Sequence, residues 1–445
     1  MLALGLAGDA PAADETAPNG PIDLERAREL FELAEHLSDV DGGAMWGREL
    51  YGPILLVDPG TRATVSNDRD KDGVLAPIAD GLFAGRLPEE LAIGNTTTQW
   101  AGRRWTMVMW PLPHSAVGAG TLLMHECFHR IQPDLGIPLA APRNEHLATP
   151  EGRFWLRLEW RALGAALDAD APLESEALAD AFLFRRERQR RFKEAMKEER
   201  ALLLNEGLAE YTGQRLGGGD EADMRRRASA ALRSYEGMPR LTRMWAYASG
   251  PPYALLLDRA RPGWREDVTE RTDLPRTLER AVRYRQPKRI ADAAAERGDL
   301  YGGAELRAEE EAKAGERQAK LDDLRARFVD GPRLGVAIVG GSSYSFGPHQ
   351  IEELPGVGTV YGSLRISGPW GILDAQDGAL MVRGTRRRPT VVYVPAPDDP
   401  DARPAVGAGW TLTLNDGWTV VPDGRAGDYA VVRASERRSG PRVRP

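Results

Sequence analysis

The chain has one cysteine, Cys127, in 445 residues. A lone thiol excludes an internal disulfide framework and any cysteine-rich zinc module. Histidine is scarce too, with six in all. No apolar run reaches the roughly 18 residues that a membrane-spanning helix needs. Positive charge is not in excess: 59 Lys and Arg face 66 Asp and Glu, for a formal net charge of −7. A mildly acidic chain lacks the basic excess of a nucleic-acid binder. Apolar residues make up 42%, which excludes wholesale disorder. The length suggests about three domains as a prior.

Residues 1–21 read as a loose tail or a remnant export signal. Met1 to Gly8 is short and apolar, and Ala10-Pro11-Ala12 has small-x-small spacing, but a basic leader and a longer apolar core are missing. A secreted or periplasmic location is the expectation, with the cytoplasm as the alternative.

Three textures follow the tail. Residues 22–113 form a strand-rich part entered through an amphipathic helix over Leu24–Leu37. Its strand candidates are Ile54–Val57, Ala63–Val65 and Trp105–Trp110, broken by Gly, Pro, Asp and Asn. Residues 114–330 are helical in pattern, punctuated by Pro133, Pro172, Gly217–Gly219 and Pro251-Pro252. Residues 331–445 return to short β-type runs and predict a separate all-β domain. The expected fold class is α+β: a strand-rich and helical catalytic region, then a small all-β domain.

The helical part holds His125-Glu126-Cys127-Phe128-His129, the pattern HExxH. On a helix, residues four apart lie on one face. His125 and His129 can therefore direct two imidazoles at one metal ion, and Glu126 beside them can act as a base toward water. Cys127, two residues from His125, points away and reads as packing. A catalytic zinc site needs a third protein ligand and one open position. Leu204-Asn205-Glu206-Gly207-Leu208-Ala209-Glu210-Tyr211 supplies a candidate. Glu206 interrupts an apolar stripe, where a buried charge requires a partner. Glu210, one turn on, is placed to orient a ligand histidine. Glu159, on a helix over Phe154–Leu167, is the second candidate for third ligand. Glu145 and His146, in a loop, come after it.

HExxH followed by Asn-Glu-Gly-x-Ala-x-Tyr resembles the gluzincin metallopeptidases, particularly the aminopeptidase-N type. The resemblance implies a zincin-like catalytic fold with Zn as cofactor, His125, His129 and Glu206 as ligands, and Glu126 as catalytic base. It implies peptide or protein substrates. Tyr247-Ala248-Ser249-Gly250 is similar to the family's Tyr-x-x-Gly, which implies that Tyr247 donates to the oxyanion; Tyr253, Tyr211 and Tyr235 are alternatives. It also implies that the strand before the HExxH helix is a sheet edge, so that Thr106, Met107, Val108 and Met109 would pair with an extended substrate. The separation of 77 positions between His129 and Glu206 (206 − 129) exceeds the aminopeptidase-N pattern. A helical insertion from Glu151 to Lys197 would account for it. The Gly-x-Met-Glu-Asn signature that grips a substrate amine is absent, which favours endopeptidase over aminopeptidase action. Two rivals remain at this point: a zinc-containing binding protein, and a metallohydrolase acting on a non-peptide amide or ester.

Two weaker patterns read as structural. Asp68-Arg69-Asp70-Lys71-Asp72-Gly73 starts like a calcium loop, but its twelfth position is Ala79 rather than Glu; it reads as a polar turn. The basic run Arg185–Arg191 reads as a solvated helix face offset by neighbouring acids.

Overall fold

A computed structural model describes residues 22–168, 175–347, 351–385 and 390–435. The expected tail or export signal over residues 1–21 lies outside the described residues. The chain divides into two compact units, Met1–Glu310 and Glu311–Pro445. The division falls inside one long helix, 20 residues before the boundary expected at 330 (330 − 310).

The first unit opens with helix α1 (Leu24–Asp41), started by the Asp23 side chain, which accepts from the Glu25 and Arg26 amides. Six strands follow: β1 (Ile54–Val57), β2 (Ala63–Ser66), β3 (Ala76–Pro77), β4 (Phe83–Arg86), β5 (Thr96–Trp100) and β6 (Arg103–Met109). They form one mixed sheet in the order β3-β4-β2-β1-β6-β5. β1 and β6 run parallel, and the other pairs are antiparallel. Alternation sorts the side chains of β1 and β6. Ile54, Leu56 and Val108 join the main core, whereas Leu55, Val57, Trp105 and Met107 join a second cluster on the opposite face. Both faces are covered, which is why Ile54-Leu55-Leu56-Val57 reads as an unbroken apolar run.

Helices α2 (Ala116–Ile131), α3 (Pro150–Asp168), α4 (Glu176–Arg191), α5 (Ala195–Leu202), α6 (Leu208–Leu216), α7 (Glu221–Glu236), α8 (Trp245–Ala260), α9 (Leu274–Ala281), α10 (Ile290–Gly298) and α11 (Gly303–Arg325) complete the helical region. Ser115 caps α2 by accepting from the Gly118 amide, and Pro133 with Gly136 at φ 71° turns the chain after it. The separation between His129 and Glu206 is filled mainly by α3 and α4, which pack on each other.

The basic run on α4 is not a solvated face. Arg185 and Arg188 are buried, with 2% and 0% exposure. Arg188 meets Glu159 at 2.5 Å and Glu199 at 2.7 Å, and Arg185 meets Glu199 at 3.2 Å. Tyr253 donates to Glu159, and His146 lies 2.9 Å from Glu199. Opposite charges from α3, α4 and α5 thus neutralise one another inside the helical core. A helical wheel drawn from sequence cannot see partners that arrive from other helices.

The polar turn around Asp70 stands as read. Its carboxylate accepts from the backbone amides of Asp72, Val74 and Leu75. Among the described residues no helix is long and apolar enough to cross a membrane. In the second unit, the described residues between Arg333 and Arg433 include 12 strands, in a seven-stranded and a five-stranded sheet (7 + 5) around a core that includes Trp370, Trp410 and Leu373. The α+β arrangement with a separate C-terminal β-sheet domain is the one expected, although the second unit also takes in the end of α11.

Removing one member of the buried ionic cluster leaves charge without a partner. Glu159→Ala should destabilise the protein by about 3–5 kcal/mol, read from chemical denaturation. A loss under about 1 kcal/mol, the range of exposed pairs, would show that Arg185 and Arg188 do not depend on it.

Candidate metal centre

Two close helix crossings assemble the site. α2 packs against α6, where a Cβ on Gly213 would stand 2.4 Å from the Thr121 carbonyl oxygen. Only glycine allows this approach, and it sets the α2 histidines beside the α6 acids. α5 and α6 are joined by a π-helical turn over Leu203–Gly207 that carries Glu206. Such turns are rare and frequent at functional sites. Here the chain crosses α8, where a Cβ on Gly250 would stand 2.3 Å from the Gly207 Cα. That crossing brings Tyr247, one turn before Gly250, onto Glu206.

His125, His129 and Glu206 each offer a ligand atom, and these atoms lie within 4.8 Å of one another. The two histidine Nε2 atoms are 3.1 Å apart, and Glu206 Oε2 is 3.7 Å and 3.6 Å from them. All three residues are buried. They form a candidate metal-binding triad, and among the described residues no fourth ligand joins the group.

The outward nitrogens of both rings are committed. His125 Nδ1 lies 3.1 Å from Glu210 Oε2, and Gln214 donates to the other Glu210 oxygen. His129 Nδ1 lies 2.9 Å from Gln132 Oε1. Both Nε2 atoms are thereby turned toward Glu206. Gln132 also donates to Asn205, and Asn205 donates to Glu206 Oε1. Arg243, in the turn before α8, donates to the same oxygen at 2.8 Å. Tyr247 donates to Oε2 at 2.5 Å, and its ring stacks on His125 with an interplanar angle of 9°.

The donor chemistry fits a divalent metal. Glu126 is buried, and its Oε2 has no hydrogen-bond partner. An orphaned carboxylate oxygen beside two imidazoles and a second carboxylate is a setting that a bound divalent ion or water would satisfy. Burial raises the Glu126 carboxyl above the ordinary range, partly offset by the two histidines. Burial works against charge on His125, but its hydrogen bonds to the Glu206 and Glu210 carboxylates outweigh it and push the imidazole up to about 10. Burial also opposes charge on Glu206, but both histidines outweigh it and hold its carboxyl well below the usual range.

Several candidates fall elsewhere. Glu159 sits in the ionic cluster with Arg188, and His146 meets Glu199 in the same cluster. Glu145 is exposed. Tyr253 donates to Glu159 and Tyr211 to Asp258. For Tyr235, burial and the Glu210 charge push the phenol up to about 12. Cys127 points away from the histidines, with Thr106 donating to its sulfur at 3.9 Å. Thr106, Met107, Val108 and Met109 require a correction. β6 has β1 on one side and β5 on the other, so its backbone is already paired and offers no edge to a substrate. Thr106, Met107 and Val108 are also buried. The sheet edge on this side is β5.

Sequence reading missed Gln132, Asn205 and Arg243. Gln132 stands three residues after His129, and Arg243 four before Tyr247. Those spacings were available as signals, although Arg243 lies outside any helix and periodicity does not reach it. Comparison with known proteins gives no match: no family model, curated protein or solved structure resembles this chain at a significant level.

Glu210→Gln should weaken zinc binding about 10- to 100-fold, the usual cost of losing a group that orients a ligand histidine; competition with a chromophoric chelator measures it. A second outcome concerns pH. His125 keeps its proton in the folded chain above its ordinary 6.5. Its stabilising contribution is therefore full below pH 6.5 and is lost as pH rises through about 10. Zinc must displace that proton, so binding to chelator-stripped protein at pH 8 should release about one proton. Calorimetry in buffers of different ionisation enthalpy reads this, and an identical heat in all of them would contradict it.

Proposed function

We propose that this protein is a zinc-dependent hydrolase that cleaves peptide bonds. One observation carries the reading: the buried Glu126 carboxylate, whose Oε2 has no hydrogen-bond partner, borders three convergent metal-ligating side chains. A structural zinc site is normally closed by four protein ligands, whereas a catalytic one keeps a position open. Three ligands among the described residues favour catalysis over the binding-protein alternative.

When bound, zinc supplies Lewis acidity, which brings the pKa of water to about 7 and polarises a carbonyl. His125, His129 and Glu206 would hold it. Glu126 takes the proton from the attacking water and delivers it to the leaving amine. Its raised affinity for a proton suits both halves of that transfer. Tyr247, seated on Glu206 and His125, turns its hydroxyl to the carbonyl oxygen as negative charge develops there. Glu210 and Gln132 keep both imidazoles fixed throughout.

A peptide rather than a small ester is favoured by the sheet. β5 is an outer strand that also packs against α2, the helix bearing HExxH. Its free edge offers backbone hydrogen bonds to an extended chain, the task first assigned to β6.

Glu126→Gln should keep zinc and lose peptidase turnover by about 10²–10⁴-fold, measured on a mixed peptide library by mass spectrometry. His129→Ala should lose the metal, seen by elemental analysis. Tyr247→Phe should lower kcat by about 10²–10³-fold with a smaller change in KM. Undiminished cleavage by Glu126→Gln would end the mechanism.

A further inference from the structure

Arg243 is more than the orientation of Glu206 requires. Asn205, itself buried, already donates to Glu206 Oε1. A second donor to that oxygen is redundant for orientation, and this one is cationic with 49% of its side chain exposed. A guanidinium carries five N–H donors in a planar fork that matches a carboxylate.

The acids around the site point the same way. Among the described residues, the carboxylates within 4.0 Å of the histidine pair are Glu126, Glu206 and Glu210. Glu206 is held by Arg243, Asn205 and Tyr247, and Glu210 by His125 and Gln214. Glu126 is the base. None is left to grip a substrate ammonium, whereas a half-exposed cation stands beside the reacting centre.

We propose that Arg243 receives a carboxylate of the substrate, so that the preferred substrates are peptides with a negative group next to the scissile bond. This rests on the peptidase reading above. The carboxylate has two sources, the free C-terminus of a short peptide or an Asp or Glu side chain within a longer one.

The test uses two metal-directed probes, N-hydroxysuccinamic acid and its methyl ester. Both present a hydroxamate to zinc, and only the acid presents a carboxylate. Calorimetry on the zinc-loaded full chain should show the acid binding at least about tenfold more tightly, equivalent to about 1.4 kcal/mol. Arg243→Met should abolish that preference, and Arg243→Lys should retain part of it, with zinc content checked in each. Equal binding of acid and ester to the unaltered protein overturns the proposal and leaves the peptidase reading standing. A preference that survives in Arg243→Met also overturns it. If neither probe binds, the metal-site reading fails and takes this proposal with it. Free-acid and C-terminally amidated peptide libraries then separate the sources. Cuts near the end of free-acid peptides only assign the terminal carboxylate, and cuts beside internal Asp or Glu in amidated peptides assign the side chain. Cleavage indifferent to both overturns the proposal.

Discussion

The centre depends on how closely its helices approach. Two imidazoles on α2 and one carboxylate on the π-helical turn meet only because backbones touch at Gly213–Thr121 and Gly207–Gly250. Helices with ordinary side chains at the contact pack with axes about 8–10 Å apart. Glycine removes the side-chain layer at these two points, so short side chains such as Glu206 and His125 reach one another. The same crossing that sets Glu206 on the histidines sets Tyr247 on Glu206. One steric condition therefore fixes the ligands and the proposed oxyanion donor together.

Hydrogen bonds then convert proximity into orientation. Each ring has its outer nitrogen occupied, by Glu210 or Gln132, which directs both inner nitrogens toward a common point. The chain Gln132–Asn205–Glu206 ties the end of the HExxH helix to the third candidate ligand. Displacing Gln132 would disturb His129 and Glu206 at once. Losing an orienting partner of this kind typically costs about 10- to 100-fold in metal affinity or activity.

The local parts of this arrangement were legible in sequence. HExxH spacing, the acid interrupting the Leu202–Leu216 stripe, and Glu210 one turn later all follow from helical geometry, and the observed triad agrees with them. The non-local parts were not legible. Whether β6 is an edge depends on where β5 pairs, and a hairpin joining Trp100 to Arg103 leaves its register and side open until the sheet is seen. Arg185 and Arg188 looked solvated because their partners, Glu159 and Glu199, come from other helices. Arg243 belongs to a turn, where neither period 3.6 nor period 2 applies.

Glu159 and Glu206 are both buried among the helices, and their surroundings explain why one is a ligand candidate and the other is not. Glu159 meets Arg188 at 2.5 Å, with Arg185 at 3.7 Å and the Tyr253 hydroxyl at 2.7 Å. Permanent cations already neutralise it, and a metal brought there would face two guanidinium groups. Glu206 has one arginine, on Oε1, and turns Oε2 toward imidazole nitrogens whose protons a metal ion displaces on binding. A divalent ion can replace those protons but cannot replace an arginine. The distinction between a structural ion pair and a metal site thus lies in whether the opposing charge is removable. By that criterion the Glu206 cluster is the only one among the described residues with three ligand atoms poised for exchange.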